Sequence, residues 1–580
     1  MTRPLRIGLL GLTLAASARP AWIWSSATDV APKNRFTYFR KVVVLDRVPN
    51  DASLLFSADS NARLWINGNL VSRKVTRYHE DCATADALDA APHLREGPNV
   101  VVVLHHNWGP IVTFQRSANL HAGLYVEASW LRTDSTWRWR SAPEFAAHEE
   151  QIVGVTGDHR IRYPEIADGR RALPGDPHDP AFDDSGWQPA VEVTDGPWPA
   201  KPARTEIPPQ RETVVHPARA LAAGRLMPAQ PLSDDPLSIA AGIRTARCEP
   251  GPSPAPESIE GRAGESRYIT FDFQRPVHGY PFLDLSDAPD GTVIDFGYAE
   301  NPYLQFNGAR PVAVDGCLNP EAVVGRGYAD RYITRAGAQR YEVPDERTAR
   351  WLTLHIHFRN DGRVVLRDRG IVQSQAAQAM AAVSGFPLRD ALDYAFAAPD
   401  GSPPKGVGRW NNPTFAHRAL FALTENGLAG RAVAHLLERY APYLPGNPRN
   451  RVPLELQGPY GGPLPEYWIS REDLGLRDGE RNSAQPVDDT GSHGWQASPL
   501  LWMHDSLLGV RIVEPGGARL RVELRLGGLP LVSGYTMTPK GSVWVYWDGR
   551  RFDLTLPAGV RAEVTLPGRP SEIRHGPPID

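Results

Sequence analysis

Cysteine is scarce in this chain: Cys82, Cys248 and Cys317 are the three thiols among 580 residues. So few, so far apart, define neither a disulfide framework nor the paired spacing of a zinc site. A large charge of either sign is also missing. The formal net charge is -3, which gives no long-range field to hold nucleic acid or an anionic membrane, and neither partner is expected. Nothing approaches the ~20 consecutive apolar residues of a membrane-spanning helix. No Gly-rich phosphate loop, Ser-centred nucleophile elbow or paired metal-binding His motif occurs. No cofactor and no metal are therefore expected.

What is abundant points to strands and turns. The 55 Pro and 52 Gly fall between short apolar runs, as they do where many turns join many strands. At this length several domains are expected, each large enough to bury a core. The 16 Trp offer flat apolar faces with one polar edge, a chemistry suited to the CH-rich face of a sugar ring. Most of them are still expected to fill cores.

The N-terminus carries Arg3 and Arg6, an apolar run over 7–16, and the small residues Ala16-Ser17-Ala18 before Arg19-Pro20. That layout predicts a signal peptide over 1–18 and a secreted or periplasmic protein; the competing reading is a buried first strand.

From Trp22 onward, FRKVVVLDRV (39–48), ASLLFSAD (52–59) and ARLWING (62–68) alternate apolar and polar residues, with a hairpin signal at Asn67-Gly68. NVVVVLHH (99–106) and LYVEASW (124–130) extend the series, and FDDSGWQPA (182–190) closes it. The Pro-rich stretch 198–209 reads as a linker. A second β-rich unit follows, with YITFDFQRPVHGYPFLDLS (268–286), GTVIDFGYAEN (291–301), ADRYITRAGAQRYEV (329–343) and WLTLHIHF (351–358). Between about 371 and 509 the period changes to helical. One predicted helix is capped at Asn412-Pro413 with Phe415, Ala419 and Leu423 on one face. A second, over 428–440, turns Ala432, Val433, Leu436 and Leu437 inward. A third starts at Ser498-Pro499, presents Leu500, Met503, Leu507 and Leu508, and stops at Gly509. The tail from 510 alternates again.

The set WIW, SADSNARLWING, REGPNVVVV and FDDSGW resembles the jelly-roll, galactose-binding-like domain at the front of α-L-rhamnosidase-like glycoside hydrolases. The ordered set DF, HGY, IDFGYAE and DRYI resembles that family's second β-sandwich, and LPAGVRAEVTLP (556–567) its small C-terminal β-sandwich. The resemblance implies a multidomain β + α fold: a galactose-binding-like jelly roll over 19–200, a second β-sandwich over 211–370, a helical domain of six-hairpin α/α type over 371–509 and a C-terminal β-sandwich over 510–580. The family's barrel has six helical hairpins, and twelve helices with their connections need roughly 200 residues. The helical segment here is shorter than that, so a shortened barrel is expected.

By the same resemblance, Glu466 in PEYW falls at the general base. Trp468 stacks on the sugar, and His493 and Trp495 in SHGWQASP line the same mouth. An inverting hydrolase also needs a protonated carboxyl about 6.5–9.5 Å from the base, and no matching acid is found early in the helical segment. Glu472, Asp473, Asp488 and Asp489 remain open for it, and Glu455 is a rival for the base. Weaker candidates are Asp59, Asn61, Asn107 and Trp108 for sugar contact, and Glu300, Asp330 and Arg331, which read more simply as a loop-organising ion pair. The activity implied is inverting hydrolysis of terminal α-L-rhamnosyl linkages on an oligo- or polysaccharide. The alternatives are a non-catalytic carbohydrate-binding scaffold and, third, a polysaccharide lyase using Tyr467 and His493.

Overall fold

The structure is a computed structural model. It describes residues 20–78, 82–110, 121–152, 162–205, 211–228, 230–251, 257–299, 317, 329–375, 416–425, 427–441, 444, 446–447 and 497–578. They fall into two compact units that divide near residue 211. The fold is multidomain and β-rich.

The first unit is built on two six-stranded sheets. One contains β1 (Trp22–Trp24), β3 (Ser53–Asp59), β6 (Thr84–Asp89) and β8 (Gly123–Ala128). The other contains β2 (Arg35–Leu45), β4 (Asn61–Ile66), β5 (Asn69–Ser72), β7 (Gly97–Asn107) and β9 (Arg138–Ser141), and short strands at 188–189, 191–193 and 203–204 complete the edges. β2 and β7 pair over their whole length, from Arg35 opposite Asn107 to Leu45 opposite Gly97. Trp24, Phe56, Leu124 and Val126 from one sheet meet Phe39, Leu64, Ile66, Val101 and Val103 from the other in one core. The Asn67-Gly68 hairpin forms as the sequence predicts. Both residues have positive φ, 51° and 78°, which Asn and Gly tolerate and which matches strand twist in a two-residue loop. Trp198, expected to open a linker, is instead buried and stacked on Trp22 with ring centroids 4.4 Å apart.

The second unit begins with a sheet organised around one long strand, β18 (Ser266–Asp287). Its first half lies between β15 (Arg219–Met227) and β22 (Arg347–His357). After a register shift between Asp272 and Val277, its second half lies between β21 (Gln339–Glu342) and β23 (Gly362–Gln375). β19 (Val293–Ala299) pairs with β22, and β20 (Ala329–Ile333) pairs with β19. A helix that periodicity did not flag, α1 (Pro236–Thr245), packs on β19 and β20. Its start is nonetheless chemically marked: the Asp235 carboxylate accepts from the Ser238 N–H at 2.8 Å and Pro236 takes the first helical position. Cys248 and Cys317 form a disulfide, a pairing that three scattered cysteines did not define in the sequence. Spacing could not foresee a bridge across 69 residues.

The C-terminal part carries a four-stranded and a three-stranded sheet. Their inner residues, among them Val522, Val543, Val545 and Val564, share one core with Leu420 and Leu423 of α2 (Ala416–Glu425) and Ala432, Val433 and Leu436 of α3 (Ala429–Tyr440). Leu437 was expected inside but is 53% exposed. The third predicted helix is shorter, and Met503, Leu507 and Leu508 of its predicted apolar face join the core while Leu500 does not. α4 (Pro499–Trp502) passes into one π-helical turn over Met503–Leu507, Ser498 makes no capping bond, and Leu500 is exposed. The residue that anchors it is Trp502, fully buried, whose Nε1 donates to Thr424 Oγ1 at 2.8 Å. Gly509 does end the segment, with φ 69°. Among the described residues no helix is long and apolar enough to cross a membrane.

Candidate functional site

Glu466, Trp468, His493 and Trp495 lie outside the described residues. So do Glu300, Glu455, Tyr467, Glu472, Asp473, Asp488, Asp489, Asn412, Pro413 and Phe415. The weaker candidates in the first unit are described, and all four are buried. Asp59 accepts from Trp198 Nε1 at 2.9 Å, Asn61 from the Val75 N–H at 3.3 Å, and Asn107 donates to the Pro32 carbonyl at 2.6 Å. Trp108 lies under the guanidinium of Arg162, 4.9 Å from its ring centroid. These bonds hold loops to strands.

The second unit brings together a group of side chains that sequence reading left in ordinary strands. Antiparallel partners share a sheet face, and the register runs Tyr268 opposite His355, His355 opposite Asp295, and Asp295 opposite Arg331. One step along, Ser266 faces His357. Four strands thus supply a polar row on the face that α1 covers. Together with α1, this row lines a cleft of about 630 Å³.

Two bonds fix the row's charge. Arg331 closes a fork on Asp295, Nε to Oδ1 at 2.6 Å and Nη2 to Oδ2 at 2.9 Å. The same guanidinium donates to the Ser233 carbonyl and to Asp234, at the lead-in to α1, so it ties the helix to the sheet. Burial pushes the Asp295 carboxyl up. The hydrogen bonds from Arg331 and His357, with their charges, outweigh that and hold it at about 2. Burial drives His355 down to about 3, with neighbouring His357 adding to the effect, so His355 is neutral at ordinary pH. Ser266 Oγ lies 2.8 Å from His357 Nδ1, and His357 Nε2 lies 3.5 Å from Asp295 Oδ2. A serine, histidine and carboxylate in series resemble an activated nucleophile. In that chemistry the carboxylate must stabilise an imidazolium, and here Arg331 has already neutralised it. The row is a hydrogen-bonding floor.

The walls are mixed: Leu226, Pro231, Ile239, Ala246 and Phe358 are apolar, and Gln230, Ser238, Glu265 and Arg359 stand among them. A signal for this site was present as the His-x-His alternation of TLHIH at the end of the strand, two polar rings on one face. Asp330 and Arg331 were expected to pair with each other. Instead, as successive strand residues, they point to opposite faces; Asp330 takes Arg347, at 2.7 and 2.9 Å, and the Tyr298 hydroxyl at 2.6 Å.

No protein-family model matches the chain, and no curated protein matches it in sequence. Solved structures do match. The GH78 family rhamnosidase of Bacillus sp. GL1 is 14% identical with a TM-score of 0.64, over 95% of this chain and 99% of that one. The α-L-rhamnosidase of Aspergillus terreus is also 14% identical, with a TM-score of 0.55, over 96% and 85%. That of Dictyoglumus thermophilum is 13% identical with a TM-score of 0.51, over 95% and 81%. This chain has a rhamnosidase-like fold. At such identities the likeness is one of architecture, and it spans both units.

Proposed function

We propose that the chain is a glycoside hydrolase resembling α-L-rhamnosidases, which hydrolyses terminal α-L-rhamnosyl or related glycan linkages with inversion. The observation that carries this reading is the architectural likeness to the Bacillus sp. GL1 rhamnosidase over nearly the whole of both chains. In this reading Glu466 removes a proton from the attacking water, Trp468 stacks on the sugar ring, and His493 and Trp495 border the same mouth. The segment over 371–509 then serves as a shortened α/α catalytic domain, flanked by the sandwiches over 19–200, 211–370 and 510–580. Export, with 1–18 as signal peptide, is supported by the Cys248–Cys317 disulfide, since such bridges persist in oxidising compartments.

The test is release of the aryl group from an aryl α-L-rhamnoside by the parent and by Glu466→Gln. Loss of a catalytic base lowers the rate by about 10²–10⁴-fold, and NMR of the first product formed reads the inverted anomer. Rhamnose binding with no release by the parent would favour the non-catalytic scaffold. That reading draws on the general acid, to which the sequence assigns no single residue. A rise in ultraviolet absorbance on uronate-containing polysaccharide would favour a lyase.

A further inference from the structure

We infer that the cleft between α1 and the β18–β22–β19–β20 face is a second binding site, for an uncharged, hydroxyl-rich molecule of one or two sugar residues. Its volume of about 630 Å³ is in the ~300–1,000 Å³ range of small-molecule pockets. His355 is 2% exposed, lines the cleft, and its Nε2 has no hydrogen-bond partner among the described residues. A buried ring nitrogen left unmatched is destabilising, and the hydrogen bond it lacks is one that a guest hydroxyl offers. A neutral imidazole can give or take that hydrogen bond.

The charge balance sets the ligand's class. On the floor, Arg331 is matched by Asp295; toward the rim, Glu265 is held by Arg267 at 2.8 Å. With the floor's charges paired, a strongly anionic or cationic guest gains little there; exposed Arg359, which also lines the cleft, is a further charge at its edge. A guest with hydroxyls on one face and C–H groups on the other meets Ser266, His355 and His357 on the floor, and Ile239 and Phe358 on the walls. The chemical class follows from the lining alone; the choice of sugars as probes rests on the rhamnosidase-like reading.

Gly242 makes the site testable without disturbing the polar row. It lines the cleft from the middle of α1, and a Cβ added there meets nothing within 4 Å. Gly242→Trp therefore fills the space with an indole, and replacing a mid-helix Gly also favours the helix. Calorimetric titrations of the full chain with L-rhamnose, D-galactose and D-galacturonate would be compared for the parent, Gly242→Trp, Ser266→Ala and Trp468→Ala, with thermal melts confirming folding. The expected result is a component for at least one neutral sugar that disappears in Gly242→Trp, weakens in Ser266→Ala and persists in Trp468→Ala. A component lost in Trp468→Ala but intact in Gly242→Trp would place the sugar elsewhere and overturn the inference. So would tighter binding of the uronate than of either neutral sugar. Absence of any binding, alongside active hydrolysis of the aryl rhamnoside, would overturn this inference and leave the catalytic reading standing.

Discussion

Arg331 and Asp295 face each other across adjacent strands and join through two hydrogen bonds of 2.6 and 2.9 Å, each residue nearly inaccessible to water. An ion pair this deep stabilises little relative to apolar residues, but breaking it is costly because the survivor is left charged and dry.

Arg331→Leu should therefore lower stability by about 3–5 kcal/mol, read by chemical denaturation at pH 7. The pH dependence gives the sign. With Asp295 held at about 2 in the fold against an ordinary 3.8, its contribution in the parent is complete above pH 3.8. That contribution, about 2 kcal/mol, is lost as pH falls toward 2. In the variant the stranded carboxyl titrates higher, so acid neutralises it, and the gap between parent and variant narrows below about pH 4. A gap independent of pH would contradict this assignment.

Asp330 and Arg347 form a second such pair, both essentially fully buried. Asp330→Leu alone should cost about 3–5 kcal/mol. The double change Asp330→Leu with Arg347→Met should recover most of it, less about 1 kcal/mol for the lost partner of Tyr298. Additive single losses in the cycle would show that the two side chains do not act as a unit.

The Cys248–Cys317 bridge closes a 69-residue separation, for which the chain-entropy account gives about 4 kcal/mol. Replacing both residues by Ala should lower the melting temperature, and a reducing agent should bring the parent to the same value. Thiol titration of the native chain should find Cys82 alone, the exposed free cysteine. Reduction in denaturant should then reveal all three.

Local signals carried far in this sequence. Asn67-Gly68 specifies its hairpin because both residues accept positive φ. The alternation in 52–59 and 62–68 returns as β3 and β4, because one face of each strand must be buried whatever lies opposite. α3 was legible from Ala432, Val433 and Leu436, although Leu437 lies just beyond the edge of the buried stripe. The catalytic candidates came from motif resemblance, and their positions fall outside the described residues.

The sequence by itself determined a β-rich, nearly neutral, multidomain chain, since composition and period are properties of the chain alone. Tertiary structure decided that Ser266, Asp295, Arg331, His355 and His357 share one face under α1. They come from four strands whose order and register depend on which pairings bury the most apolar surface and satisfy every backbone group together. A one-residue slip in any of those strands would turn its polar side chain to the opposite face.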